Sequence, residues 1–385
     1  MMRLDLVFPR LPPAHDAIGE HTALLASALA GKADVRILAA VGSRAEVPGV
    51  TVREAYDVET PEGVQGLLDL EDLPDWLVVQ YNPFSWGRWG FNPHLARVLR
   101  ALKRRRPALR LALIVHETAP PPIRWQLALM NVWQRPQLWR LGRLADLVFF
   151  TIEPWMGVYG RHFRGTPVAH LPVGSNIPDA VVGRRIARAR LGLEEAFVVG
   201  LFGTAHHSRL LSHVRAAVAA IHARRPGTRV VYIGPDGVAV RERLAGLPVH
   251  DAGRLPGEDV ALHFAAMDLY LAPFRYGVST RRGSFMVALQ HGIPSVSTMG
   301  WHTGPLLRQH DGHAFLLAQE RDEAAFVGRA LSLVDDEGQR ARLGKAARDL
   351  YTTHFDWPAL ARQMLDTLHD HASRQRVPTA APEVR

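Results

Sequence analysis

Short, unbroken apolar runs alternate with amphipathic helical patterns along almost the whole chain, and few architectures accommodate that alternation. Leu4 to Phe8, Val35 to Leu38, Trp76 to Tyr81, Leu111 to His116 and Leu147 to Ile152 read as strands of a first half, and Phe197 to Gly203, Arg229 to Gly234, Leu269 to Phe274 and Pro294 to Thr298 as strands of a second. The runs are continuous rather than alternating, as parallel strands covered on both faces require. Between them, Leu210, Leu211, Val214, Val218 and Ile221 recur at three- and four-residue steps, the stripe of a helix with one buried face. Strand-helix alternation of this kind predicts α/β domains with doubly wound, Rossmann-like parallel sheets.

At 385 residues the chain suits two such domains. The SNIPD punctuation and the arginine-rich GRRIARARLGL that follows place the boundary near Gly174 to Gly192. We therefore expect a first domain over 1–180, a second over 181–355, a closing helix over 356–373 and a disordered polar tail over 374–385. The absence of cysteine excludes disulfides, thiolate metal sites and a cysteine nucleophile. The N-terminal apolar run is too short for a signal peptide, and no stretch approaches the roughly 18 apolar residues of a membrane span, so a cytoplasmic location is expected. The net charge of +9 points to an anionic partner such as a nucleoside diphosphate or acidic lipid. No nucleic-acid-binding motif accompanies it.

Open parallel sheets bind ligands at the carboxyl ends of their strands, where the strand order reverses. Four segments occupy such positions. In PRLPPAHDAIGEHTALLASAL, Gly19 opens a helix, where backbone N–H groups can meet a phosphate; His15, Asp16 and His21 crowd the same loop, and Asp16 is either a general base or a helix cap. In ALIVHETAPPPI, His116 and Glu117 close a buried strand, and the histidine can hydrogen-bond a sugar hydroxyl or stabilise charge. In VVGLFGTAHHSRLL, Gly203 and Thr204 precede a helix with Arg209 near its start, a grouping suited to a diphosphate. In APFRYGVSTRRGSFMVALQHGIPSVST, Ser279, Arg281, Arg282, Gly283 and Ser284 lie between a strand and a helix, and guanidinium forks beside orphan N–H groups can grip a pyrophosphate. Neither a G-x-G-x-x-G nor a Walker lysine motif is present.

In this order, the segments resemble the retaining glycosyltransferases of family four, which have the so-called B fold. The likeness runs from Arg3 to about His369. GEHTALLASAL is similar to the family's first helix, VHE to its histidine-acid strand end, LFGTAHHSR to the opening of its nucleotide-binding domain, and GEDVALHFAAMDLYLAPF to the stretch before its donor loop. ALQHGIPSVST is close to the A-x-x-x-G-x-P-V-V-x-T pattern that ends that loop, with Ser295 for the first valine. The family's two donor-loop glutamates correspond here to Ser279 and Val287, and the S-x-R-R-G-S sequence resembles a bacterial subgroup.

The resemblance implies two Rossmann-like domains facing across a cleft, with the last helix crossing back to the first. It also implies transfer of a sugar from a nucleoside diphosphate to a glycan or lipid-linked glycan in surface polysaccharide synthesis. His116 would then hold the donor sugar. Arg209, Arg281, Arg282 and the N–H groups of Gly283 and Ser284 would stabilise the leaving diphosphate without a metal or other cofactor. Retention would need no carboxylate nucleophile; an inverting reaction would recruit Asp16. The nucleobase is expected near Gly234 and Arg254.

Trp125, Trp133 and Trp139 with Arg124, Arg135, Arg140 and Arg143, and Trp86 and Trp89 in a second aromatic loop, suit the edge of an anionic bilayer. A sugar-nucleotide epimerase would share the nucleotide site but needs carboxylates around the sugar, for which only Glu117 and Asp16 stand out. A non-catalytic nucleotide- or glycan-binding protein would lack those demands.

Overall fold

The computed structural model describes residues 1–121 and 124–374, which form two units. The first comprises residues 1–151 and 155–171 together with the helix Trp357–Arg374, and the second comprises 152–154 and 172–356. The chain thus changes unit at Leu171/Pro172, ahead of the expected 180/181 boundary. The SNIPD turn already belongs to the second unit, where Asp179 is paired with Arg348. The helix extends through Arg374, the residue at which the tail was expected to begin. The remainder of that tail, 375–385, lies outside the described residues, as do Pro122 and Ile123.

The first unit is built on seven strands: β1 (Arg3–Val7), β2 (Asp34–Ala40), β3 (Thr51–Tyr56), β4 (Trp76–Tyr81), β5 (Arg110–Val115), β6 (Leu147–Phe150) and β7 (Val168–His170). All pair in parallel, in the order β3-β2-β1-β4-β5-β6-β7. One face alternates Leu4 and Leu6, Ile37 and Ala39, Val78, Ile114 and Phe149 into a core with Leu25 and Leu29 of the Ala17–Leu29 helix and Leu360, Met364 and Leu368 of the closing helix. The closing helix thus supplies apolar side chains that this sheet would otherwise expose to water.

The second unit has six strands: β8 (Phe197–Phe202), β9 (Thr228–Ile233), β10 (Val249–Gly253), β11 (Leu269–Ala272), β12 (Ser295–Met299) and β13 (Leu316–Gln319), again all parallel, in the order β10-β9-β8-β11-β12-β13. Side chains two residues apart share a face. Phe197, Val199 and Leu201 pack with Val214, Val218 and Ile221 of the Leu211–Arg224 helix, while Val198 joins Val231, Phe264 and Phe285 on the opposite side. In each sheet the strand order reverses beside one strand, β1 in the first and β8 in the second, so each unit has its own switch point.

Candidate functional site

At the switch point of the second unit, two stretches far apart in sequence converge. Gly203 follows β8 with φ +96°, a left-handed conformation that disfavours any side chain. A Cβ there would also lie 3.3 Å from Arg209 Nη2 and 3.7 Å from Ser284 Cβ. Arg209 precedes its helix by two residues and pairs in an isolated antiparallel bridge with Phe274, just past β11. Its guanidinium donates to the Phe202 carbonyl and to Ser284 Oγ (3.0 Å). The guanidinium carbons of Arg209 and Arg282 stand 4.5 and 4.6 Å from the centroid of the Phe274 ring, and both gain from its quadrupole.

The helix Gly283–Gln290 starts directly behind this pair. Arg282 is its N-cap, and no side chain caps it. A helix N-terminus with unspent donors and two nearby guanidiniums favours negative charge. Ser279 is buried, and its hydroxyl has no hydrogen-bond partner among the described residues. Arg281 and Arg282 both bear on His302, which sequence reasoning did not single out. Burial first, and then these two cations, push the ring from 6.5 down to about 3. Val287, the second of the two positions aligned with the family's glutamates, is fully buried in the apolar core. Gly292, at φ +64°, follows the C-cap His291 of this helix.

The loops after β8 and β9 are tied together. Tyr232 Oη donates to the Gly203 carbonyl (2.9 Å), and Asp236 Oδ2 accepts from the Ala205 N–H (2.7 Å). Thr204 is exposed on the first of these loops. Gly234 is buried and donates its N–H to the Gly253 carbonyl (2.8 Å), which brings it beside the exposed Arg254.

The first unit treats its switch point differently. Asp16 is the N-cap of the Ala17–Leu29 helix, accepting from Ile18 N (2.9 Å) and Gly19 N (3.3 Å), and it also pairs with Arg10 (2.9 Å). The Gly19 N–H, expected to meet a phosphate, is therefore already spent. The reason for glycine is steric: a Cβ would lie 2.0 Å from the Arg10 carbonyl oxygen. His15 is exposed in the loop. His21, expected in that loop, instead sits inside the helix, buried, with its ring edge-on to His116 at 4.8 Å and to Trp357 at 5.2 Å. Burial holds its pKa down at about 4, and neither ring nitrogen has a partner among the described residues. His116 follows β5, buried, with Nε2 2.6 Å from Gln80 Oε1. Glu117 beside it is half-buried.

The tryptophans divide. Trp86 is buried and donates its indole N–H to the Gln80 carbonyl (3.0 Å). Trp133 donates to the Trp89 carbonyl (3.0 Å), and Trp139 stacks on His162 at 4.7 Å. Trp89 and Trp125 remain exposed.

Comparison with known proteins bears on the fold. Residues 196–336, within the second unit, match the family described as Glycosyl transferases group 1. No curated protein matches the sequence. Among solved structures, sucrose-phosphate synthase from Thermosynechococcus elongatus is similar at TM-score 0.72 and 17% identity, covering 97% of this chain and 100% of that one. Trehalose 6-phosphate synthase from Burkholderia multivorans is similar at TM-score 0.67 and 14% identity, covering 100% of both chains. The Anabaena protein HepE, in complex with UDP and glucose, is similar at TM-score 0.66 and 14% identity, covering 96% of this chain and 100% of that one. The fold, two parallel-sheet α/β units, is that of the B-fold glycosyltransferases.

Proposed function

We propose that this chain transfers a sugar from a nucleoside diphosphate donor, with retention, to a glycan or lipid-linked glycan acceptor in surface polysaccharide synthesis. One observation carries the reading: Arg209 and Arg282 converge over Phe274 beside Ser284, at the uncapped start of a helix within the group 1 domain. Breaking the anomeric bond puts charge on the diphosphate. Preorganised guanidiniums and helix N–H groups stabilise that charge more in the transition state than in the bound donor. These cations support a reaction that needs no metal or other cofactor. The Anabaena neighbour's complex with UDP supports a nucleoside diphosphate as the ligand.

His116 and Glu117 of the first unit are assigned to the sugar and acceptor. The acceptor hydroxyl attacks the anomeric carbon, the bond to the diphosphate breaks, and the departing phosphate oxygen takes the hydroxyl proton. Asp16, the base of an inverting reaction, already caps a helix and pairs with Arg10, which favours retention. The same engagement weakens the epimerase alternative, since it removes one of the two carboxylates that reaction would use.

Calorimetry with UDP, GDP, ADP and dTDP tests the reading. One should bind with micromolar affinity, and Arg282→Ala should weaken it about tenfold or more, because a charge-assisted hydrogen bond contributes roughly 1.5 to 3 kcal/mol. If none binds, or the variant binds equally well, the diphosphate site is wrong. Binding without sugar transfer to any acceptor leaves a non-catalytic binding protein, and a donor isomerised without acceptor marks an epimerase.

A lipid-linked acceptor fits one further surface. Trp125, Leu129 and Val132 are exposed at three- and four-residue steps along the Trp125–Leu144 helix, and Trp89 and Phe91 are exposed in the loop held to it by the Trp133 hydrogen bond. That helix contains no acidic residue, and Arg124, Arg135, Arg140 and Arg143 are exposed along it. Among the described residues no helix is long and apolar enough to cross a membrane. An apolar ridge rimmed by arginines fits the surface of an anionic bilayer on the cytoplasmic side. Vesicles of anionic lipid should sediment the protein and zwitterionic vesicles should not, and Trp125→Ser with Leu129→Ser should abolish the difference. Equal sedimentation of both proteins would remove the membrane from the proposal.

A further inference from the structure

The assignment of His116 to the sugar leaves open what its ring offers, since a neutral imidazole carries one N–H and one lone pair. The neighbouring strand bears on this. β4 and β5 run in register with Gln80 opposite Ile114, and the His116 N–H extends the ladder by donating to the Tyr81 carbonyl (2.9 Å). This places Gln80 Oε1 2.6 Å from His116 Nε2. Gln80 has no exposed surface, so water does not compete for that contact. Its backbone carbonyl is held by the Trp86 indole, which fixes the strand end from which the side chain projects. Edge-on to His116 lies the His21 ring, buried and held neutral by that burial.

We propose that Gln80 is the positioning residue of His116: its amide oxygen takes the Nε2 proton, so the neutral ring meets a sugar hydroxyl as an acceptor at Nδ1. An amide oxygen can only accept, so the contact requires the proton on Nε2. An amide achieves this without adding charge. A carboxylate in its place would take the same proton but draw a second one to Nδ1, turning the ring into a cation. A neutral ring with a lone pair suits a sugar that gains positive charge as its bond to the diphosphate breaks, whereas an imidazolium would oppose it. The inference rests on the sugar-side role given to His116 above.

Its test does not depend on turnover. In the full chain labelled with 15N-histidine, long-range proton–nitrogen spectra should report His116 as the Nε2–H tautomer. Gln80→Met, similar in shape but without an acceptor, should let the Nδ1–H form appear, and should lower kcat by up to about tenfold with little change in the donor KM. Gln80→Glu should keep the tautomer while raising the His116 titration midpoint by a unit or more, as a facing carboxylate does, with the acid limb of the pH–rate profile moving up in step. Glu117, next in sequence, and His21, edge-on to the ring, are unchanged in both variants. A wild-type ring protonated at Nδ1 overturns the inference whatever the activity, and so does a Gln80→Glu variant with an unmoved midpoint. Should Gln80→Met not fold, those two measurements still decide. Loss of nucleotide binding with the Nε2–H tautomer intact would count against the glycosyltransferase reading alone.

Discussion

The two units carry the same kind of switch point and use it in opposite ways. In the second, the helix Gly283–Gln290 opens without a side-chain cap, and Arg209 and Arg282 stand near it. In the first, the carboxylate of Asp16 occupies the helix N-terminus and is itself neutralised by Arg10. A helix dipole favours negative charge at its start, and that charge comes from a ligand or from the protein. The second unit leaves the position without a side-chain cap. The first fills it and presents instead a buried cluster of His21, His116 and Gln80. Two parallel sheets of like topology thus yield one arginine-lined site and one histidine cluster, and the difference lies in a few loop residues rather than in the architecture.

This contrast can be broken most directly at its glycines. Gly19→Ala drives a Cβ into the Arg10 carbonyl, and should cost at least about 3 kcal/mol by urea unfolding. A Cβ at Gly283 meets nothing nearer than the Gly174 carbonyl at 4.0 Å, so Gly283→Ala should leave stability almost unchanged. Equal stability of the two variants would mean that the first helix is not pressed against its loop.

Acid should single out His21 in the first unit. His21 titrates near 4 when folded against an ordinary 6.5, so below 6.5 the unfolded chain takes up a proton that the folded chain refuses. Stability from this group is whole above pH 6.5 and is lost progressively as the pH falls towards 4, by about 3 kcal/mol. His21→Phe should flatten that part of the urea-midpoint profile, and an unchanged slope would show that the ring is not the group responsible.

At the cationic site, Arg209→Ala should weaken nucleoside diphosphate binding about tenfold or more, as expected for a charge-assisted contact. Full-strength binding by this variant would leave the arrangement around Phe274 a packing feature only. The smallest effect is expected at Asp16. Asp16→Ala removes a helix cap, and should lower stability by about 1 kcal/mol while leaving the diphosphate affinity as it was. A tenfold loss of that affinity would instead place Asp16 among the donor contacts and end the contrast between the units.

Every strand read from the sequence is present, and the four that were missed are the four sheet edges: β3, β7, β10 and β13. Central strands are covered on both faces and so are written as unbroken apolar runs. The edge strands TVREAY, VAH and VHDAG are partly exposed and mix polar with apolar residues, and LLAQ is too short to stand out. Among site residues, Gln80 left one trace, a lone polar residue inside the apolar run WLVVQY. His302 follows a strand end and was open to the same positional argument as His116.

The sequence alone determined the strand-helix alternation and the two-domain plan, and singled out the Ser279-to-Ser284 loop as a candidate, because hydrophobic period and turn chemistry are local properties. Only the tertiary structure decided that Arg209 reaches Ser284, that Asp16 is spent as a cap, that Val287 is core and that Gln80 faces His116. The Asp16 cap is a local contact, to Ile18, Gly19 and Arg10, but the other three facts depend on which strands are neighbours and in what register, and that is fixed by packing between segments tens of residues apart.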